Sequence, residues 1–437
     1  MQNRNSIALG FLAVIALGAI FLASPLAQAT GNWGRVFEAI FTATSAVCVT
    51  GLTVVEVGVE YSRIGLIGLL VLVEIGCVGL MTLGTFFMLA IGRRLSISSE
   101  FSLMDAYGVP AVKGIKGLIV WIVGSMLSFQ ALGAALLYWR SRDLFEAVFY
   151  SIMNFCNAGF SYYPGSLEHF QNDYYSVFTM TALTILGGVG FLVLYNLVSF
   201  KYRGSRNGAR GRLTLHTKTV LRFTAYLLIG VYAAFLIFEW SNSLANMPTM
   251  KKLLIGFFQA ATPRTCGFCF VPTENLQPIT RFVYEVMMMI GGGPGSAAGG
   301  IKITTLAVLI YTLTAMCRGD TETIIDRKTI STAIVRESIV IVTALVSLIV
   351  ITTGALIITE NPESSTQEAL FFEAVSAITT TGLSIGNTTP NLSDAGRIVI
   401  MIAMFLGRLG ALTVVMMIGD KETVRHVRYP NEELVVG

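Results

Sequence analysis

Four pentapeptides in this chain each close on a glycine: Val47-Cys48-Val49-Thr50-Gly51, Phe155-Cys156-Asn157-Ala158-Gly159, Pro263-Arg264-Thr265-Cys266-Gly267 and Ile378-Thr379-Thr380-Thr381-Gly382. In every copy a phenylalanine (Phe41, Phe149, Phe257, Phe372) stands ten residues before the glycine, and the glycines are 108, 108 and 115 residues apart. The side chains differ at nearly every position while the glycine stays. A site made of side chains would repeat side chains; a site made of backbone repeats backbone freedom, which glycine supplies. Backbone carbonyls suit one chemistry in particular, because a cation stripped of water needs oxygen ligands that do not hold it with a full negative charge. Any one of these turns alone would read as a helix stop. Four in the same frame read as one repeated unit whose turns meet around a common axis, with a cation held by carbonyls near Gly51, Gly159, Gly267 and Gly382.

The elements that must position these turns follow from composition. With 54% hydrophobic and 13% charged residues in 437, the chain reads as a polytopic membrane protein, all-α. Each repeat reads as a long apolar helix, a shorter apolar stretch leading to the turn, and a second long helix. The spans are 6–28, 33–46 and 62–92; 112–139, 143–154 and 174–200; 219–240, 250–262 and 280–316; 332–359, 366–377 and 395–419. That makes eight crossings and four short segments. A short segment of about 12–14 residues reaches roughly 20 Å as helix, less than the hydrocarbon core, so it enters and returns on one side. Irregular backbone at that depth must be buried in protein or line water.

Assigning the loops between repeats and both termini to one side places 19 of the 30 Lys and Arg residues there, which makes that side cytoplasmic by the positive-inside rule. The opposite side holds 14 of the 26 carboxylates, a mildly acidic outer mouth that raises local cation concentration. Ile7–Ala23 followed by Pro25, Ala27 and Ala29 resembles a cleavable signal peptide, but its removal would leave the first repeat without the leading helix of the other three. The helix is expected to be retained.

The second long helices carry Gly76-x-x-Gly79, Gly187-x-x-Gly190, Gly292-x-x-Gly295 and Gly407-x-x-Gly410, a spacing that permits close backbone approach on one helix face. Around the third copy runs Gly291-Gly292-Gly293-Pro294-Gly295-Ser296-Ala297-Ala298-Gly299-Gly300-Ile301-Lys302, too rich in Gly and Pro to stay helical. This predicts a helix broken near mid-membrane by a loop below the glycine ring, positioned to act as a gate. Arg408, deep in the last apolar stretch, is costly there and a functional candidate by default. It would bond the loop carbonyls or act as an electrostatic barrier, or else pair with Glu74 or Glu285, the two carboxylates within apolar stretches. Lys302 is equally ambiguous.

With these residues assembled, the chain resembles the Trk/Ktr/HKT superfamily of cation transporters over essentially its whole length, and within it the KtrB-type translocating subunits of Ktr potassium uptake systems. The resemblance implies a K⁺-channel-like fold of four M1–pore helix–M2 repeats around a central pore: 1–92, 93–205, 206–320 with the broken M2, 321–419, and a cytoplasmic tail 420–437. It implies a K⁺-selective filter at the four glycine turns and a gate comprising Gly291–Lys302 and Arg408. It implies potassium uptake with no enzymatic step, and a homodimer with one pore per subunit in a prokaryotic inner membrane, both termini cytoplasmic. A cytosolic KtrA-like RCK ring that binds ATP/ADP or NAD(H) would regulate it. Two positions depart from the expected pattern: Pro263-Arg264 puts a charge beside the third turn, where it affects conductance or faces the outer surface, and Pro294 stiffens the loop.

Two rival readings use other residues. Cys266-x-x-Cys269 has a redox or metal spacing, but it stands alone, and Cys266 lies inside the third turn. A Na⁺- or H⁺-coupled solute or Na⁺ transporter using Glu74 or Glu285 is the second rival, against which stands the fourfold rather than inverted twofold repeat.

Overall fold

The four short apolar stretches are helices, and each stops just before its glycine turn. In the computed structural model, which describes residues 2–79, 115–206, 213–360 and 366–410, they are α2 (Val36–Val47), α5 (Leu144–Cys156), α9 (Thr249–Ala261) and α13 (Gln367–Ile378). Their lengths are 12, 13, 13 and 12 residues, about 18–20 Å at helical rise. Side-chain caps start two of them: Asp143 accepts from the amides of Phe145 and Glu146, and Thr366 from that of Ala369, each satisfying amides that the helix itself cannot.

Each is preceded by a long helix: α1 (Gln2–Ala23), α4 (Ile115–Ser141), α8 (Leu215–Glu239) and α12 (Thr332–Thr359). Each is followed by a shorter one: α3 (Arg63–Val78), α6 (Tyr174–Val189), α10 (Pro278–Met289) and α14 (Asp394–Leu409). The protein is thus a mostly helical polytopic membrane protein of four repeated units. α1 packs into the common core through Phe11, Ile15, Ala19 and Leu22, the part the other leading helices play. Leu127, Ile229, Ile237, Val350 and Ile351 face outward, the surface that lipid covers. The repeated phenylalanine is fully buried in three units as Phe41, Phe149 and Phe372. In the third unit Phe257 is half-buried and its neighbour Phe258 takes the core position.

One expectation needs correction. The second helices were expected to run unbroken over 62–92, 174–200 and 395–419, with a break in the third repeat alone; among the described residues the second-repeat helix is broken too, and those of the first and fourth stop at Val78 and Leu409, residues 80–92 and 411–419 lying outside the description. α3, α6 and α14 end at the residue before the second glycine of the Gly-x-x-Gly pair. Those glycines, Gly79, Gly190 and Gly410, have φ of +82°, +103° and +84°, a conformation that L side chains rarely adopt. In the second repeat the chain continues as α7 (Phe191–Arg206), bent from α6 by 97°. Among the described residues, Ile119–Ser141, Leu215–Glu239 and Thr332–Thr359 are long and apolar enough to span alone, with the bent pair as a fourth. Hydropathy continues past each of these helix ends, so composition alone did not reveal them.

The first glycine of each pair explains the approach of helix to turn. A Cβ at Gly76, Gly187 or Gly407 would lie 2.2, 1.9 or 2.1 Å from the carbonyl oxygen of Val47, Phe155 or Ile378, the first residue of each pentapeptide. The second helices therefore press directly on the turns. In the third repeat the break is wider: α10 ends at Met289 and helix resumes as α11 (Ile303–Arg318), as the Gly/Pro-rich composition predicts. A small addition to the all-helical plan is the hairpin Ile324–Ile325 with Lys328–Thr329, turned through Asp326 and Arg327 with φ of +47° and +61°, the signature of a type I′ turn.

Candidate functional site

The four turns meet. A Cβ added at Gly51 would lie 2.9 Å from the Cα of Gly159; at Gly159, 3.2 Å from that of Gly267; at Gly267, 3.3 Å from that of Gly382; and at Gly382, 3.2 Å from that of Gly51. The glycines thus form a closed ring in chain order. Their φ values are +95°, +69°, +78° and +87°, and the residue two places earlier is also left-handed in every copy: Val49, Asn157, Thr265 and Thr380 at +55°, +56°, +65° and +52°. Alternating φ sign turns successive carbonyls toward one side of the strand, whereas a regular helix or strand would point them along its axis or alternately outward. Non-glycine residues held at positive φ cost of order 1 kcal/mol each and persist where the surroundings impose them.

What imposes them is a tie from turn amides back to the short helix. In the first repeat the amides of Thr50 and Gly51 donate to Ser45 O at 2.8 Å and Ser45 Oγ at 3.0 Å; in the fourth, Thr381 and Gly382 donate to Ser376 O and Oγ at the same distances. The second repeat keeps the backbone bond, Ala158 to Met153 O at 3.0 Å, without the hydroxyl; in the third, Cys266 donates to Thr262 O at 3.0 Å and Thr262 Oγ1 donates to Phe268 O. With the amides so engaged, the carbonyls are left for a ligand. Ser45 and Ser376 stand six residues before Gly51 and Gly382, a repeated offset that is visible in the sequence. Ser45→Ala or Ser376→Ala, which strands a buried amide, is expected to cost about 1–3 kcal/mol. Thermal denaturation in detergent with and without K⁺ checks it: the loss should be larger when K⁺ is present.

Above the ring opens a vestibule of about 390 Å³ lined by all four glycines, with Glu56, Glu168 and Glu274 in its wall and no Lys or Arg among the lining residues. Three carboxylates thus stand over the ring on this face, where they raise local cation concentration. Ser161 and Ser384, each two residues past its glycine, also line it. Tyr150 Oη lies 2.9 Å from Ser161 Oγ, and Ser384 Oγ donates to Glu373 Oε2 at 2.9 Å. Glu373, in the middle of α13, is wholly buried.

On the other face lies the third-repeat loop. The amides of Gly293 and Ala297 donate to Gly188 O (2.9 Å) and Gly187 O (3.4 Å), and the amide of Phe191 to Gly295 O (3.0 Å). The loop is therefore seated on the broken end of α6. A Cβ at Gly299 would lie 2.4 Å from Thr379 O and 2.3 Å from Thr380 Oγ1, so Gly299 lies against the fourth turn. The loop's own ends are joined by Gly291 N to Ile301 O and Ile301 N to Met289 O, both 2.9 Å. Arg408 Nη1 donates to Ala297 O at 2.8 Å while Nη2 donates to Gly76 O. It bridges the loop to the end of α3 and pairs with carbonyls, not with Glu74 or Glu285. Lys302 Nζ donates to the next loop carbonyl, Ala298 O, at 2.5 Å.

The remaining candidates divide by position. Cys48, Cys156 and Thr379, second in their pentapeptides, are fully buried beside the turns, and so, at 4% exposure, is Arg264. That excludes the outer-surface placement for Arg264, whose Nε and Nη2 have no hydrogen-bond partner among the described residues; the same holds for Thr50 Oγ1, Thr265 Oγ1, Thr380 Oγ1 and both amide atoms of Asn157. Such atoms in an apolar interior require water or a ligand. Cys266 Sγ sits 3.4 Å from Thr184 Oγ1 while Cys269 lines the vestibule. Rb⁺ flux is expected to survive replacement of both cysteines by serine; loss of flux in a folded protein would revive the redox or metal reading.

The sequence pattern of the TrkH family, described as a cation transport protein, matches residues 17–422. Similar proteins include the potassium/sodium uptake protein NtpJ of Enterococcus hirae, 32% identical over 442 residues that cover 99% of this chain and 96% of that protein. The Ktr system potassium uptake protein B of Bacillus subtilis is 32% identical over 441 residues, covering 99% and 96%. In three dimensions the crystal structure of the potassium transporter TrkH from Vibrio parahaemolyticus matches with a TM-score of 0.77, at 15% identity, over 95% of this chain and 84% of that one.

Proposed function

The chain belongs to the TrkH cation transport family, whose members are non-enzymatic cation transporters, and from that premise we propose that it conducts K⁺ inward through the glycine ring, which selects the ion. The observation that carries this reading is the closed ring itself: four turns, each with left-handed residues two apart, under an acidic vestibule. Carbonyls held by a tied-back backbone replace the hydration shell of the ion, and the rigidity of the ring discriminates by the number and placement of oxygens. K⁺ is cargo here. The turn residues 47–51, 155–159, 263–267 and 378–382 are its filter.

In the same reading Gly291–Lys302 is a gate closed by Arg408 and Lys302, and the repeats divide at 1–92, 93–205, 206–320 and 321–419. The chain works as a homodimer in a prokaryotic inner membrane, both termini cytoplasmic, under a nucleotide-binding RCK ring. The name of the Bacillus subtilis relative, a protein of a Ktr system, supports a multi-subunit assembly; the tail 420–437 lies outside the described residues. The name of the Enterococcus hirae relative, a potassium/sodium uptake protein, favours a second reading in which Na⁺ is carried too.

Reconstituted in liposomes with and without an RCK ring, the chain is expected to pass Rb⁺ and K⁺ well ahead of Na⁺, and faster with the ring and its activating nucleotide. Comparable Na⁺ flux would select the second reading, and no flux of any cation with the ring present would reject both.

A further inference from the structure

Glu373 occupies a place that no other repeat fills with a charge. It stands nine residues before the fourth glycine; the corresponding residues are Thr42, Tyr150 and Phe258. Its side chain is 0% exposed. Both oxygens are engaged by hydroxyls: Ser384 Oγ donates to Oε2 at 2.9 Å, and Thr389 Oγ1 donates to Oε1. Thr389 Oγ1 and Ser384 Oγ are themselves 3.4 Å apart, so the three groups form a closed triangle. Ser384 is two residues beyond Gly382, and both line the vestibule. Only a hydroxyl therefore separates this carboxylate from the outer entrance to the ring.

The second repeat has the same clamp in neutral form, Tyr150 to Ser161, which shows what the position does structurally: it ties the outer lip of the turn to the short helix. A neutral group suffices for that. The fourth repeat uses a carboxylate instead, and among the described residues it takes part in no ion pair (the salt bridges there involve Arg35, Arg140, Arg222, Arg281 and Arg397). A buried carboxylate without a protein counter-ion is strongly disfavoured. Two hydroxyl donors offset part of that cost.

We infer that the cation in transit is the missing counter-charge: Glu373, fixed by Ser384 and Thr389 behind the fourth turn, is a positioning residue that raises cation occupancy at the outer end of the ring. The inference rests on the proposed function, since it needs a cation pathway at the glycines. It also explains why this short helix, whose other carboxylate Glu368 lies in its first turn and pairs with Arg281, carries a buried charge one residue after its core phenylalanine, Phe372.

The test compares Rb⁺ uptake by wild type, Glu373→Gln and Glu373→Asp in liposomes, scoring KM and maximal rate separately, with thermal stability in detergent as the control for folding. Gln keeps the size and the hydrogen-bonding capacity and removes the charge. It is expected to raise the KM for Rb⁺ about tenfold, the order expected of one charge acting across several ångströms of partly shielded interior, with maximal rate changed less than KM. Asp, which keeps the charge, is expected to restore most of the affinity. An unchanged KM in folded Glu373→Gln, or an equal rise in Glu373→Asp, overturns the inference. Should Glu373→Gln fail to fold, Ser384→Ala takes its place: it frees the carboxylate from the lip and is expected to raise KM about threefold, the order of one lost hydrogen bond, and an unchanged KM there overturns the inference as well. Selective Rb⁺ flux in wild type, measured in the same vesicles, separates failure of this inference from failure of the filter reading.

Discussion

Gly51→Ser is expected to abolish most of the discrimination between K⁺ and Na⁺ while leaving the protein folded. A Cβ at this position would lie 2.4 Å from Ala158 O and 2.9 Å from the Cα of Gly159, and the atoms it meets are backbone, which cannot rotate away as a side chain tip can. The residue also sits at φ +95°, where a side chain is strained whatever the space. The ring must therefore open at the junction of the first and second turns. The carbonyls beside it move by a few tenths of an ångström or more, and the site loses the geometry on which discrimination depends. A ten- to hundredfold fall in the Rb⁺:Na⁺ flux ratio corresponds to about 1.4–2.8 kcal/mol of lost preference. That is a modest sum against the contact described. Liposome flux with each ion in turn measures it, and an unchanged ratio in a protein of normal stability would remove the glycines from the selecting site. The closest contact in the ring is that of Gly382, 2.0 Å from Thr50 O, so the same substitution there should do at least as much.

Arg408→Gln is expected to raise flux. The guanidinium bonds Ala297 O of the loop with one nitrogen and Gly76 O with another. Charge-assisted bonds of this kind contribute about 1.5–3 kcal/mol each. Losing the hold on the loop shifts a closed-to-open equilibrium by roughly ten- to a hundredfold. The charge itself also repels a cation approaching from the ring, so both effects act in one direction. Removal of Gly292–Gly295, which deletes the contact of Gly293 N with Gly188 O and that of Gly295 O with Phe191 N, should raise flux by a separate route. The check is single-channel recording in bilayers, where open probability and unitary current are read apart. A rise in the first identifies a latch, a rise in the second alone identifies an electrostatic barrier, and a rise in neither would take the loop and Arg408 out of gating.

The parts of this fold that could be read beforehand are those in which one local rule recurs. The short helices were expected at 33–46, 143–154, 250–262 and 366–377 and lie at Val36–Val47, Leu144–Cys156, Thr249–Ala261 and Gln367–Ile378, because apolar runs and turn glycines bound them from both sides. The loop of the third repeat was legible because Gly and Pro there exceed what any helix tolerates. The helix ends at Gly79, Gly190 and Gly410 were not. A single glycine in an apolar run costs a helix only about 1 kcal/mol, and whether it bends depends on what presses on it. At Gly190 that is the third-repeat loop: a Cβ there would lie 2.7 Å from Pro294 O. Glu373 was hidden for a similar reason. Its partners lie 11 and 16 residues further on, beyond the turn, so its burial is a property of the folded ring and not of its own neighbourhood.

The seating of the loop on the end of α6 has a thermodynamic corollary. Gly187, Gly188 and Gly76 lie in the last turns of α6 and α3, where carbonyls have no helical partner, and their oxygens are taken by the loop amides and by Arg408. Moving the loop aside strands the Gly187 and Gly188 oxygens in the membrane interior, at several kcal/mol apiece if nothing replaces the lost donors. Water or the permeating ion must take their place. In the proposed gating, wetting of the passage and withdrawal of the loop are therefore a single transition, and its midpoint should shift with osmotic pressure and with the cation activity on the side of the loop.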